Sequence, residues 1–204
     1  MRRPKTKPTL IPKNTMGIDY LENSFTKEEL RLIEDSLGKG GINLVTHSHP
    51  SEPIAGIEDL FPQIVLFLSL DIVTVIYQGL LTNTLYDALK SSVVYIYSVI
   101  KEKPFVRIHN SKIEPNSTPN VHLRMGKASM ILPINLDEEK FKYCVDKMFG
   151  AINKDVVEHS YYLKYDEDKK EFECFTKTQI AGQAYSDWLQ KQPKGEQQED
   201  KTGF

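Results

Sequence analysis

The longest apolar part of the chain runs from Leu60 to Lys101, and its pattern predicts two helices. Within residues 63–82, three polar positions at i, i+3 and i+7 fall on a single helical stripe, whereas a strand would scatter them over both faces. The break at 79–84 is short, so the two segments are expected to lie antiparallel as a helical hairpin. The second helix, 84–101, has an apolar face formed by Leu85, Ala88, Leu89, Ile96 and Ile100.

The polar stripe of the first helix consists of Asp71, Thr74 and Gln78. Residues 64–81 are about long enough to cross a bilayer at roughly 1.5 Å per residue. A charge at Asp71, in the middle of such a span, would cost roughly 2.5–3.5 kcal/mol. Burial in a core or an oligomer interface is therefore favoured over membrane contact, and Asp71 is interpreted as a partly exposed side chain.

The segments before this stretch predict a helix and a strand. Thr26 and Glu29 form a capping box, and the helix that it opens ends at the glycine-rich run 38–41. Ile42–Thr46 is short and bounded by glycine and proline, as is typical of a strand. Residues 1–20 are basic and rich in proline at the start, and are expected to form an extended arm.

The segments after it predict mainly strands. Phe105–His109 is a candidate strand, and residues 112–120 are expected to form a loop because they contain two prolines. Two β-hairpins are predicted from alternating apolar and polar positions, 121–125 with 128–134, and 161–165 with 171–176. Asn135 with Glu138 is a second predicted capping box, whose helix buries Phe141, Val145, Met148 and Phe149. Ile180, Ala184 and Trp188 predict a last helix.

Together these elements predict an α+β fold, with a central antiparallel helical hairpin packed against a small, mainly antiparallel sheet and flanking helices. The predicted domain organisation is an extended arm (1–20), a single domain (21–190) and a disordered tail (191–204). Within the domain, the hairpin occupies about 60–101 and the β-rich half about 105–190.

Composition narrows the function classes. The net charge of −2 and pI near 6.2 argue against nucleic-acid binding. The N-terminus lacks the apolar run of a secretory signal. Cys144 and Cys174 fall on different predicted elements and form no CxxC motif, so free thiols are expected. A cytoplasmic location is therefore predicted, with membrane association through residues 60–101 as the alternative.

The segment from Thr46 to Asp59 is the one place in the sequence where candidate metal ligands occur close together in a recognisable pattern. Histidines at i and i+2 of an extended segment point to the same side, so His47 and His49 could both reach one zinc ion. The sequence HSHPSEPIAGIEDL resembles the HxHP motif and following loop of JAMM-type zinc metalloproteases. That resemblance implies His47, His49 and Asp59 as ligands, with an upstream glutamate that deprotonates a zinc-bound water.

The match to this family covers about fourteen residues of 204 and is incomplete. The loop to Asp59 is one residue short, and Ile57 occupies the place of the oxyanion-stabilising serine. The upstream glutamates, Glu22, Glu28, Glu29 and Glu34, lie in or beside a predicted helix, where no strand presents a base. A metallo-β-lactamase pattern is absent, because Ser51 and Glu52 replace the next aspartate and histidine.

The alternative interpretation of His47 and His49 is two surface histidines before a proline-rich loop. His109, His122 and His159 are isolated and are interpreted as structural or surface residues. The sequence therefore assigns no catalytic, cofactor-binding or metal residue, and no cofactor. A non-catalytic interaction or structural protein is favoured, with a protein partner or a second copy of the chain on the hairpin. A JAMM-like zinc peptidase and a membrane-associated protein are the alternatives.

Overall fold

The computed structural model describes residues 12–50, 64–103, 105–109, 112–115, 119 and 121–191. Its strands are β1 (Thr15–Leu21), β2 (Asn43–His49), β3 (Ile64–Leu68), β4 (Val106–His109), β5 (Lys112–Pro115), β6 (Val121–Met125), β7 (Ala128–Leu132), β8 (Tyr161–Asp166) and β9 (Glu171–Thr176). Its helices are α1 (Lys27–Gly38), α2 (Leu70–Tyr77), α3 (Asn83–Glu102), α4 (Glu138–Ala151), α5 (Lys154–Glu158) and α6 (Lys177–Lys191).

Seven of these strands form one mixed sheet, in the order β2-β1-β3-β6-β7-β8-β9. The pairs β1–β2, β3–β6 and β7–β8 are parallel, whereas β1–β3, β6–β7 and β8–β9 are antiparallel. Strands β4 and β5 pair separately as a small antiparallel ladder. Strand β2 is thus an edge strand, joined to its parallel neighbour β1 through helix α1.

One face of the sheet carries the hydrophobic core. Alternate residues of the central strands are buried there, at positions that the register brings side by side: Met16, Ile18, Leu66, Leu123 and Met130. Buried side chains of α1, α3 and α4 belong to the same core cluster, and so do buried side chains of α2 and α5. Because successive strand residues point to opposite faces, the residues between them define a second face.

Helix α4 is tied to α3 by an aromatic pair at the centre of the covered face. The rings of Tyr97 and Phe141 are stacked with their centroids 4.0 Å apart, and both side chains are fully buried. The Tyr97 hydroxyl donates a hydrogen bond of 2.6 Å to the carbonyl oxygen of Leu136, so its polar end is satisfied. Burial of this kind contributes the hydrophobic stabilisation of the fold.

The predicted fold class is wrong, because the sheet is large and mixed and no helical hairpin forms its centre. Residues 64–68, assigned to the first helix, form the central strand β3 between β1 and β6. A short apolar run does not distinguish a buried strand from a helix, and β3 shows no alternation because Val65 and Phe67, on its second face, are apolar as well. Only α2 and α3 remain of the predicted hairpin helices.

Three local expectations also differ from the structure. Residues 15–20, placed in an extended arm, form most of the buried strand β1. Residues 112–115, placed in a loop, form β5. The residue that caps α4 is Asp137, whose carboxylate accepts a hydrogen bond from the backbone N–H of Lys140, whereas Asn135 was expected.

Other predictions are confirmed. The capping box of Thr26 and Glu29 opens α1. Both β-hairpins form, as β6–β7 and β8–β9, and α4 buries the four predicted residues. Both cysteines are free, Cys144 buried and Cys174 exposed. Among the described helices, none combines the length and the apolar character that crossing a membrane requires.

Candidate metal centre

Three polar side chains meet at the edge of the second face. In the parallel register of β1 and β2, Asp19 lies opposite His47, and Leu21 lies opposite His49. Opposite residues of neighbouring strands project to the same face, and His47 and His49 share a face because they are two positions apart. We call Asp19, His47 and His49 the Asp-His-His cluster.

The ligand-type atoms of this cluster lie within 4.8 Å of one another. His47 Nδ1 is 3.2 Å from His49 Nε2 and 3.6 Å from Asp19 Oδ1. His49 Nε2 is in direct contact with the same Asp19 oxygen. The two imidazole rings meet edge to face, with centroids 4.3 Å apart.

The Asp19 carboxylate lies between the two imidazoles. Its Oδ1 atom is buried although 37% of the side chain is exposed, and it is in ion-pair contact with both rings without a hydrogen bond of regular geometry. The histidine side chains are more open, at 69% exposed for His47 and 47% for His49. A buried carboxylate oxygen requires a hydrogen-bond donor or a cation, and the open side of the cluster leaves access for one.

These donors fit a zinc ion. Zinc takes imidazole nitrogen and carboxylate oxygen at about 2.0–2.2 Å in tetrahedral geometry, so neighbouring ligand atoms are separated by about 3.3 Å. The separations of 3.2 and 3.6 Å around His47 Nδ1 are close to that value. The contact between His49 Nε2 and Asp19 Oδ1 is shorter, so these two groups would have to move apart to hold an ion. Two histidines and one aspartate would leave a fourth position open, as catalytic zinc sites do.

The sequence predicted only part of this arrangement. It identified His47 and His49, as the JAMM resemblance requires, but favoured their interpretation as surface histidines. Asp59, the third ligand implied by the resemblance, lies outside the described residues. Asp19 was missed because residues 1–20 were assigned to an arm, although the alternation of Met16, Ile18 and Tyr20 with polar or small residues is a strand pattern that could have revealed it.

Three of the four upstream glutamates lie on α1, whereas Glu22 directly follows β1 and its backbone N–H donates a hydrogen bond to the His49 carbonyl oxygen. Glu29 closes the capping box of α1 and its carboxylate lies 2.5 Å from the Lys103 ammonium group. Partial burial opposes the effect, but the hydrogen bonds from Lys103 and Thr26 lower the pKa of Glu29. Glu28 and Glu34 also belong to α1. A strand does present a carboxylate near the histidines, but that carboxylate is Asp19.

A groove on the second face begins at the Asp-His-His cluster. It has a volume of about 1440 Å³ and extends from Asp19 over β3 and β6 to α2 and α5. Phe67 forms part of its floor and lies across Gly17, where an added Cβ atom would come within 1.7 Å of the ring. We call this feature the second-face groove. It gives a ligand on the sheet direct access to Asp19.

The remaining histidines and Asp71 have local partners. Burial, together with the charge of Arg124, lowers the pKa of His122 to about 4, and its Nδ1 lies 3.0 Å from the Ser129 hydroxyl. His159 Nδ1 lies 3.1 Å from Asp155 on α5. The side chain of His109 lies outside the described part. Asp71 accepts a 2.5 Å hydrogen bond from the backbone N–H of Asn14, which lowers its pKa although partial burial opposes the shift.

The buried thiol of Cys144 does not join any of these clusters. Burial raises its pKa to about 12, so the thiol is protonated at neutral pH and is a poor nucleophile and metal ligand. Partial burial also raises the pKa of Cys174. The Asp-His-His cluster is therefore the arrangement in the described residues with the clearest chemical capacity. Comparison with protein-family models, curated proteins and solved structures finds no match to the chain.

Proposed function

We propose that the protein binds one zinc ion through Asp19, His47 and His49. The observation that carries this proposal is the convergence of one carboxylate oxygen of Asp19 and two imidazole nitrogens, whose ligand-type atoms all lie within 4.8 Å of one another. A shared cation would satisfy this oxygen and both ring nitrogens at once. The folding of β1 and β2 into adjacent parallel strands supplies the preorganisation.

Metal analysis of the full chain tests the proposal. Protein expressed without chelators and dialysed against zinc is expected to hold about one zinc ion per chain, in line with a three-residue site. A His47→Ala, His49→Ala double variant should hold none, whereas His159→Ala, which removes another exposed histidine, should retain zinc. A wild-type chain without zinc, or a double variant with the wild-type content, would contradict the proposal.

Zinc-dependent hydrolysis of a peptide or isopeptide bond is a second candidate function. The observation that favours it is the second-face groove, which brings a ligand to Asp19. Zinc in a three-residue site supplies a Lewis acid and lowers the pKa of a water ligand. Asp19, His47 and His49 would hold the ion, and with it that water, at the end of the groove where the bond is presented. The HSHP motif of His47 and His49 agrees with this reaction class.

Two aspartate variants separate the roles within this second candidate. If Asp19 is a zinc ligand, Asp19→Asn should lose zinc. If Asp59 is the third ligand and Asp19 acts as the base, Asp19→Asn should keep zinc but lose hydrolysis, and Asp59→Asn should lose zinc. Asp35→Asn, at an exposed position of α1, is the matched control and should change neither property.

Activity is measured with zinc-loaded protein, quenched-fluorescent peptides and an isopeptide-linked substrate. Cleavage that disappears in the His47→Ala, His49→Ala variant would support a hydrolase. Cleavage no faster than that of the double variant would exclude hydrolysis of these substrates. Such a result would favour the non-catalytic interaction role that the sequence predicts.

A further inference from the structure

The second-face groove is too large for a typical small-molecule site. Pockets for drug-sized ligands have volumes of about 300–1000 Å³, whereas this groove measures about 1440 Å³. It crosses three strands and continues to two helices, so its ligand must be long. An extended polypeptide segment has this shape, and its peptide bonds are of the kind that a zinc site could hydrolyse.

The groove has an apolar floor and wall. Val65 and Phe67 project from β3, and Leu70, Tyr77 and Val157 come from α2 and α5. Leu70 is 64% exposed although it is a large hydrophobic residue. Phe67 is held in place by contact with the Gly17 backbone. Val65 and Val157 are already buried, so an apolar side chain of a ligand would mainly cover Leu70 and the exposed part of Phe67.

The charges of the groove are only partly balanced within the protein. Of its acidic residues, Asp71 is engaged by the Asn14 N–H, and Glu158 lies 3.8 Å from Lys154. Arg124 and Lys127 form no ion pair within the described part of the chain. Arg124 is exposed and lies beside Phe67 in the register of β3 and β6. The centre of the groove therefore offers a cation next to an apolar surface.

We infer that the second-face groove binds an extended polypeptide segment in which an apolar side chain lies beside an acidic one. The apolar side chain contacts Phe67 and Leu70, and the acidic one pairs with Arg124. This inference rests on the proposed function, because it assumes that one peptide bond of the bound segment lies at the zinc site formed by the Asp-His-His cluster. The inference goes beyond the proposed function by specifying which kind of polypeptide segment binds in the groove.

The register sets the distance between these two subsites. Arg124 lies opposite Phe67, Phe67 opposite Gly17, and Gly17 two residues from Asp19 along β1. Two strand spacings of about 4.8 Å and two residues of about 3.3 Å place Arg124 about 12 Å from Asp19. An extended peptide covers this distance in about three to four residues. The acidic residue should therefore lie three to four positions from the bond at the metal site.

Fluorescence anisotropy with the zinc-loaded full chain tests the inference. The probes are three fluorescein-labelled nonapeptides with alternating Glu and Phe, alternating Lys and Phe, or alternating Glu and Ser. The first is expected to bind about tenfold more tightly than either of the others, because it alone supplies both kinds of contact. Equal binding of the glutamate and lysine peptides would overturn the inference.

Surface variants locate the binding. Arg124→Glu should weaken binding of the Glu/Phe peptide about tenfold, since it replaces an attractive charge by a repulsive one. Leu70→Ser should weaken it by a smaller factor. Arg31→Glu and Leu80→Ser change exposed residues outside the groove and should leave binding unchanged. Unchanged binding in Arg124→Glu would overturn the inference, after circular dichroism has shown that this variant is folded.

The His47→Ala, His49→Ala variant separates this inference from the proposed function. Its Phe67, Leu70 and Arg124 are unchanged, so it should still bind the Glu/Phe peptide more tightly than the Lys/Phe and Glu/Ser peptides even without zinc. Loss of zinc with retained peptide selectivity would support the groove assignment. A zinc-binding wild type that does not distinguish the three peptides would contradict only the groove assignment.

Discussion

The two faces of the sheet are built from the same strands but have opposite characters. On the covered face, Ile18, Leu66 and Leu123 lie side by side and are buried under helices. On the second face, one residue further along β1 and β6, Asp19 lies where a groove begins and Arg124 lies near its centre. Because side chains alternate along each strand, the residues that stabilise the fold lie on one face and the candidate binding residues lie on the other. Substitutions on the covered face should therefore affect mainly stability, and substitutions on the second face mainly binding.

Leu123→Ala should have the largest effect on stability. Leu123 is 1% exposed, and removal of its side chain leaves a cavity in the covered face. We expect a loss of about 2–5 kcal/mol in the free energy of unfolding, measured by urea denaturation. Arg124→Ala, at the neighbouring exposed position, is the matched variant and should change stability by no more than about 0.5 kcal/mol. Similar losses in the free energy of unfolding of both variants would contradict the idea that the covered face contributes more to stability than the second face.

Gly17→Ala tests whether the second face also depends on tight packing. The new methyl group would overlap the Phe67 ring, so the ring must move. Overpacking of this kind costs about 1–3 kcal/mol, and displacement of Phe67 should also weaken binding of the Glu/Phe peptide. Gly150→Ala has open space around the new methyl group and serves as the control. If Gly17→Ala had the stability and the peptide binding of the wild type, the close contact between Gly17 and the Phe67 ring would be contradicted.

Asp19→Asn should affect zinc binding more than folding. The amide is a poorer zinc ligand than the carboxylate, and even supporting residues around metal sites typically change affinity by about 10–100-fold. We expect at least a tenfold weaker zinc affinity by competition with a chelating dye, together with a nearly unchanged melting temperature of the metal-free protein. Wild-type affinity in Asp19→Asn would exclude Asp19 from the ligand set.

The smallest expected effect concerns the ion pair that joins α1 to the end of α3. The pKa of Glu29 is lowered in the folded protein, so its contribution to stability is present above the ordinary carboxyl pKa and is lost as the pH falls through the lowered value. Acid titration between about pH 5 and 3 should remove about 0.5 kcal/mol, because the pair is partly screened by solvent. In Lys103→Met this pH-dependent loss should be smaller, as followed by urea denaturation at each pH.

The parts of the fold that the sequence predicted are those whose signals are local. The turn at Gly126 and Lys127 and the alternation on either side define the β6–β7 hairpin within a dozen residues. The Thr26–Glu29 capping box is likewise complete within one helical turn. Such features depend on backbone geometry and nearby side chains, which the sequence displays directly.

The parts that were missed depend on distant partners. The run Ile64–Leu68 becomes a strand because β1 and β6 lie on its two sides, and neither neighbour is visible in the run itself. Asp19 joins the histidines because helix α1 returns the chain so that β2 lies parallel to β1. The i, i+2 spacing of His47 and His49 indicated a shared face, but it could not show which carboxylate the fold would place beside them.

Because β1 and β2 pair in parallel, the Asp-His-His cluster exists only in the folded protein. Its ligands are brought together only when both strands and the intervening helix have folded, so an unfolded chain offers zinc a much weaker site. Zinc binding at the proposed site would therefore be thermodynamically linked to folding. At free zinc about 100-fold above the dissociation constant, the ion would stabilise the folded chain by about 2.7 kcal/mol, and its removal would selectively loosen the edge of the sheet.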